Sequence, residues 1–330
     1  MADKNILFLL LIPLPFILIF AILVFIVRPR SVKIPIKGRH VFITGGSSGI
    51  GLALAQQAAS EGARVSILAR NLDKLEEARN SIRLSTGIDV SIFSADVRDY
   101  EAVRKAIDDA GPIDILICNQ GVFTPEELET QDLEVIKFMI DVNLTGTFHL
   151  IKAALPGMKS RGDRLPASIA LMSSQAGQVG IYGYTAYSAS KFGLRGLGEA
   201  LQQEVIADNI HVSLIFPPDT ETPGFIEENK VRPQLTSIIA ASSGAMKADE
   251  VAKRTLNGIK SGTFIVHCNL EGFILSIATS GLSPQRSPVI AFVEVVAAGI
   301  LRIVALAIQW NWYGSIERWH AQKNSNCSTK

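Results

Sequence analysis

Three cysteines in 330 residues, Cys118, Cys268 and Cys327, are too few and too scattered to frame a disulfide-stapled fold, and they suit a reducing compartment. No Cys or His spacing of the kind that holds zinc occurs, so no metal is expected; there is also no internal repeat or low-complexity tract. Charge of either sign is not in excess, 32 Lys and Arg against 31 Asp and Glu, and no long basic stripe is present, which argues against a nucleic-acid partner. Tryptophan is scarce, and Trp310, Trp312 and Trp319 all fall near the C-terminus. Charge is missing altogether from Ile6 to Val27. As a helix those 22 residues measure about 33 Å, enough to cross a bilayer. Val27-Arg28-Pro29-Arg30 offers no small-residue cleavage pattern, so the segment reads as an anchor rather than a cleaved signal. Arg28, Arg30, Lys33, Lys37 and Arg39 follow it, against Lys4 and the amino terminus before it, which places the following domain in the cytosol. Pro13 and Pro15 leave open a kinked, embedded arrangement that does not span.

What the chain does contain is a nucleotide-binding pattern. His40 to Thr44 reads as a buried strand, Gly45-Gly46-Ser47-Ser48-Gly49-Ile50-Gly51 as a turn, and Leu52 to Glu61 as a helix. Glycines there allow a tight turn and let backbone N–H groups at a helix N-terminus face a pyrophosphate. A second strand, Arg64 to Ala69, ends where an NAD-binding chain offers a carboxylate to the ribose. Here Arg70 follows instead, which suits the 2′-phosphate of NADPH, with a solvated surface arginine as the alternative. Tyr187 and Lys191 stand four residues apart, one helical turn, and so share a face. A phenol with a lysine beside it can protonate a carbonyl oxygen, the lysine's charge drawing the phenol pKa down from about 10.

Taken together these stretches resemble the short-chain dehydrogenase/reductase family over roughly residues 38 to 270. The resemblance implies a doubly wound Rossmann-type α/β fold with a parallel sheet. It assigns Ser174 to the serine that hydrogen-bonds the substrate carbonyl, and Asn143 to the asparagine that supports a water relay to the lysine. The catalytic set is then Asn143, Ser174, Tyr187 and Lys191. The implied cofactor, NADPH, would meet Gly45, Ser47, Ser48, Gly49, Ile50, Gly51, Arg70, Asp96, Val97, Asn119, Gly121, Tyr187, Lys191, Pro217 and Thr222. Asp96 would face the adenine, with a turn carboxylate as its bland alternative. Two departures stand out: the family's Asn-Asn-Ala-Gly reads Cys118-Asn119-Gln120-Gly121, and its Pro-Gly reads Pro217-Pro218. The motifs Ser173 to Gln178, Tyr184 to Phe192 and Pro217 to Phe225 are similar to a branch of the family that reduces a long-chain sphingoid ketone at the endoplasmic reticulum membrane. Another lipophilic ketone, a steroid, retinoid or acyl chain, is the alternative substrate class.

Organisation follows the motifs. Residues 1–30 form the membrane anchor, 31–37 a basic linker, 38–270 the reductase domain, and 271–330 a C-terminal apolar extension. Further strands are expected near Val90–Ala95, Ile113–Cys118, Ser168–Met172, Val212–Phe216 and Thr263–His267. Residues 217–247 follow a strand's carboxyl end and are expected to cover the substrate. Within them Asp219 and Glu221 could pair with a substrate ammonium, or be solvated loop charges. The apolar run Val289 to Trp310 contains Glu294 and Arg302, each costing about 2.5 to 3.5 kcal/mol at a bilayer centre. It is therefore expected to contact membrane lipid or to form a homo-oligomer rather than to span simply, with a buried core helix as the alternative.

Overall fold

The protein, seen in a computed structural model, is described over residues 13–27, 32–163, 165–240 and 244–328. Seven parallel strands form the central sheet: β1 (His40–Thr44), β2 (Arg64–Ala69), β3 (Ser91–Ser94), β4 (Ile115–Cys118), β5 (Ala167–Met172), β6 (Ile210–Phe216) and β9 (Ile265–His267). Their spatial order is β3-β2-β1-β4-β5-β6-β9, which reverses direction between β1 and β4. A separate two-stranded parallel pair, β7 (Thr220–Glu221) and β8 (Met246–Lys247), sits after β6. The expected strands are all found, those after β2 shifted by one or two residues at their ends.

The strands are apolar throughout because both faces are covered, as parallel sheets require. Alternation still decides which side chain goes where: Val41 and Ile43 enter one core, Phe42 the other. In β4, Ile115 and Ile117 join the first and Leu116 and Cys118 the second. Each such side chain contributes roughly 1.5 to 3 kcal/mol on full burial. The helices α2 (Gly49–Ser60), α3 (Leu72–Thr86), α4 (Tyr100–Ala110), α5 (Leu133–Ile140), α6 (Gly146–Lys159) and α7 (Thr185–Val205) alternate with β1 to β6. Helix α4 shows why they form: Asp99 caps its first N–H groups, and Val103, Ala106, Ile107 and Ala110 repeat at helical spacing on the buried face.

After β6 come α8 (Pro223–Val231), α9 (Gln234–Ala240), α10 (Ala248–Lys260) and α11 (Leu270–Ala278), and α12 runs from Pro288 to Ser328. Of the expected anchor, residues 6–12 lie outside the described residues. The described part is α1 (Pro13–Val27), 15 residues and about 22 Å long, with no buried side chain. The helix long and apolar enough to cross a membrane among the described residues is α12, reaching well beyond the expected Trp310. Its outward faces carry Val289, Val296, Ile300, Ile303 and Trp310. Glu294, counted against it in the sequence, accepts a hydrogen bond from the Gln285 side chain at 2.8 Å. Helices α1 and α12 pack together, Phe16 and Phe20 meeting Phe292 edge-on with ring centroids 6.4 and 5.7 Å apart.

Candidate active site

Where the strand order reverses, the carboxyl ends of the strands open into a cleft of about 450 Å³. Open α/β sheets bind ligands at this position. One flank is the turn between β1 and α2, contributing Gly45, Ser47, Ser48, Gly49 and Ile50 to the wall. Gly45 has φ +62°, and a Cβ on Gly51 would stand 2.1 Å from the Gly45 carbonyl oxygen. Only glycine at these two positions lets the helix start so close to the turn, which leaves the amino end of α2 at the cleft wall as a seat for an anion. Asn119 ties the turn to β4, its Nδ2 donating to the Thr44 carbonyl at 3.1 Å.

At the end of β2, Arg70 and Lys74 line the same cleft. Asn71 caps α3 by accepting from the Lys74 N–H at 2.9 Å, which fixes the first turn and brings the lysine to the wall. The Arg70 guanidinium lies 5.9 Å from the Phe138 ring centroid. Asp96 borders the cleft too, but it is engaged by Arg98 at 2.7 Å, and that guanidinium holds its carboxyl below the usual carboxylate range.

The other flank carries the candidate chemistry. β5 leads into Ser173 and Ser174, and the Ser174 Oγ accepts from the Ala176 N–H at 3.1 Å, capping a single 3₁₀ turn, Gln175–Gly177. Helix α7 begins beside it and presents Tyr187 and Lys191 on one face. The Lys191 Nζ is buried, donates to the Met172 carbonyl at 2.9 Å, and stands 5.6 Å from the centre of the Tyr187 ring. Burial lowers the Lys191 ammonium to about 8. Tyr187 is partly open to the cleft while its hydroxyl lies deep, and burial raises its pKa. The hydrogen bond with Ser174 acts in the lowering direction, and the charges of Glu228 and Asp219 raise it further. The phenol is therefore held protonated at neutral pH. This differs from the expectation that Lys191 draws it down, because dehydration dominates here and Lys191 is committed to Met172.

Asn143 sits in a π-helical turn, Asp141–Thr145, between α5 and α6. Widened turns of this kind occur mostly at functional sites. Its side chain is fully buried: Oδ1 accepts from the Val122 N–H at 2.8 Å, and Nδ2 donates to the Val122 carbonyl and the Ser190 Oγ at 2.9 and 3.0 Å. It thus fastens the loop after β4 to α7, within one residue of Lys191.

With this geometry in hand, the comparison of sequences is decisive: the profile described as short chain dehydrogenase matches residues 39–232. The chain belongs to the short chain dehydrogenase family. Two 3-dehydrosphinganine reductases of Arabidopsis thaliana are 67% identical over 298 residues, covering 90% of this chain and 91% of theirs, and 64% identical over 309 residues, covering 94% and 93%. A 3-ketodihydrosphingosine reductase of Bos taurus is 35% identical over 316 residues, covering 93% of this chain and 94% of its own. Among solved structures, L-sorbose reductase from Gluconobacter frateurii complexed with NADPH and L-sorbose superposes with a TM-score of 0.63 at 26% identity, covering 73% of this chain and 98% of that one.

In this short chain dehydrogenase, Gly45, Ser47, Ser48, Gly49, Ile50, Arg70, Asp96, Val97, Asn119, Gly121, Ser174, Tyr187, Lys191, Pro217, Asp219 and Thr222 all border the one cleft. Gly51 and Asn143 back its wall. Glu221 is exposed on β7 and does not reach it. Residues not singled out from the sequence do: Lys74 near Arg70, and Tyr184 and Glu228 near Tyr187. That second end is roofed by α8, and α9, which follows it in the chain, touches α12. The Tyr182 ring, on the loop before α7, lies 6.5 Å from the ring of His320 on α12. The apolar C-terminal helix thus packs on the loop before α7 and on α9, one residue from the cleft-lining Ile181.

Proposed function

We propose that the protein is an NADPH-dependent 3-dehydrosphinganine reductase, reducing the ketone of a long-chain amino ketone to the hydroxyl of sphinganine in sphingolipid synthesis. The observation that carries this reading is the convergence of Ser174, Tyr187 and Lys191 on one cleft with the glycine turn, in a chain 67% identical to a 3-dehydrosphinganine reductase over nine-tenths of its length. The residues present fit the dinucleotide: a glycine cradle at a helix N-terminus for the pyrophosphate, Arg70 and Lys74 for a 2′-phosphate, and Lys191 for the nicotinamide ribose.

When bound, NADPH supplies the hydride that adds to the carbonyl carbon. Ser174 orients the carbonyl oxygen by donating to it. Tyr187, kept protonated by burial, gives that oxygen its proton as charge develops there. Lys191, whose ammonium burial lowers to about 8, leaves its Met172 partner to return the proton to Tyr187 after turnover, and Asn143 holds the loop and helix that carry it. Helices α1 and α12 supply an apolar base for membrane attachment, and the cations following α1 support a domain facing the cytosol at the endoplasmic reticulum membrane.

The test is to incubate the detergent-purified protein with NADPH and 3-ketosphinganine beside steroid and retinoid carbonyls, identifying products by mass spectrometry. Sphinganine should be the dominant product. Tyr187→Phe should bind NADPH yet lose about 10²- to 10⁴-fold in turnover. Near-normal turnover by that variant would eliminate the role given to Tyr187, and preference for another carbonyl would displace the substrate.

A further inference from the structure

The wall opposite Tyr187 carries charge that hydride and proton transfer do not use. Asp219 and Glu228 share one cation: Arg232 Nη1 donates to Asp219 Oδ2 at 2.9 Å, and its Nη2 and Nε donate to Glu228 Oε1 at 2.8 and 3.1 Å. The Tyr184 hydroxyl donates to the same Oε1. Among the described residues every hydrogen bond made by Glu228 thus converges on one oxygen. Its side chain is only 6% exposed, and it borders the cleft. Oε2 is therefore a carboxylate oxygen with no donor of its own among the described residues, on a side chain that borders the cleft beside Tyr184 and Tyr187.

Two carboxylates against one guanidinium leave one formal negative charge when both are ionised, and burial, ahead of the opposing pull of Tyr184 and Arg232, pushes the Glu228 carboxyl above the usual carboxylate range, a cost that a cation joining it relieves. The charge sits close to the chemistry, since the Tyr184 ring that holds Glu228 lies 5.7 Å from the Tyr187 ring. Asp219 is the poorer candidate for an incoming cation, being bound to Arg232, and Glu221 points away from the cleft.

We propose that Glu228, through Oε2, receives the substrate's ammonium, the group on the carbon next to the ketone, and so fixes the ketone in register with Ser174 and Tyr187. The assignment rests on the reductase reading above, because that substrate supplies the cation. It also gives the amino group a second effect. Glu228 and Asp219 both raise the Tyr187 pKa, so an ammonium between them and the phenol offsets that influence and makes Tyr187 the better acid when the correct substrate is in place.

The experiment compares kcat/KM for 3-ketosphinganine with that for the 1-hydroxy-3-ketone of equal chain length lacking the amino group, in the full-length wild type and in Glu228→Gln. Glutamine keeps an acceptor for Tyr184 and nearly the same volume. The wild type should prefer the amino ketone, and Glu228→Gln should reduce that preference about 10- to 100-fold, the range for a charge-assisted hydrogen bond. An unchanged preference, whatever the absolute rates, overturns the assignment. If the variant fails to bind NADPH and so reports only misfolding, the N-acetylated ketone offered to the wild type decides: it should be reduced as poorly as the des-amino compound, and reduction as efficient as that of the free amine overturns the proposal. Wild-type turnover of none of these ketones would instead sink the reductase reading, and the assignment with it.

Discussion

Gln120→Ala places at this position the alanine of the usual family pattern, and it tests how the site is held together. Gln120 is buried between β1 and the π-helical turn. Its Oε1 accepts from the Thr44 Oγ1 at 2.5 Å, and its Nε2 donates to the Thr147 Oγ1 at 2.9 Å. The Nε2 also reaches the Val142 carbonyl at 3.4 Å, and the two shorter hydrogen bonds alone, at about 0.5 to 1.5 kcal/mol each, come to roughly 1 to 3 kcal/mol. Neither partner is stranded: Thr44 can turn to the Ile117 carbonyl at 3.3 Å, and Thr147 still donates to the Asn143 carbonyl at 2.8 Å. No orphan penalty is therefore added, but the void left by the side chain costs about a further 1 kcal/mol. The total, about 2 to 4 kcal/mol, corresponds to roughly 3 to 6 °C in Tm for a chain of 330 residues. Thermal unfolding in detergent reads it directly. Gln120→Met, which fills the space without the bonds, should recover only the void's share. NADPH affinity should fall with Gln120→Ala, because the turn that backs the cleft is loosened. A Tm change under about 1 °C with unaltered affinity would refute the bridging role, and full recovery by Met would show that volume, not hydrogen bonding, matters there.

Arg70→Ala should weaken NADPH about 10-fold or more while changing NADH little, and adding Lys74→Ala should widen that gap, as measured by fluorescence titration; equal losses for the two cofactors would make both cations bystanders. Lys191 gives a pH signature. Its ammonium falls from 10.5 to about 8 on folding, so burying the charge costs about 3 kcal/mol below pH 8, a penalty relieved as pH rises toward 10.5, where the unfolded chain also releases the proton. Relative to Lys191→Met, the wild type should therefore gain stability between pH 8 and 10.5, and a difference that stays flat across a pH series of denaturation curves would contradict the buried ammonium.

How much of this was legible in the sequence depends on the range of the interactions involved. β1 and β2 are found at their expected bounds because their signals are local, an apolar run closed by glycine or arginine. The cleft flank built on the glycine turn was legible for the same reason, since its residues cluster at strand ends. The opposite flank was less so. After the Pro217-Pro218 motif, Asp219 borders the cleft as the sequence suggested, but strand alternation buries Thr220 and leaves Glu221 exposed. Glu228 lies a helix further on, and it faces inward because α8 folds back over Tyr184. The π-helical turn around Asn143 has no residue pattern that announces it. In α12, Glu294 and Arg302 weighed against a simple span; the Glu294 carboxylate is met by Gln285 from outside the helix, a contact that only the folded chain makes.

The meeting of Phe16 and Phe20 with Phe292 also has a consequence in time. Partners about 275 residues apart in sequence cannot meet until the later one has been synthesised. At about 5 to 20 residues per second, α12 emerges roughly 15 to 55 s after α1. For that interval the short chain dehydrogenase domain has its sheet but only one of its two apolar helices. Docking of α12 against α1, α9 and the loop that carries Tyr182 pairs the two apolar helices and braces that loop. The cleft's own walls come from residues ahead of α12, so a chain cut short before this helix should keep the site's lining while losing that brace.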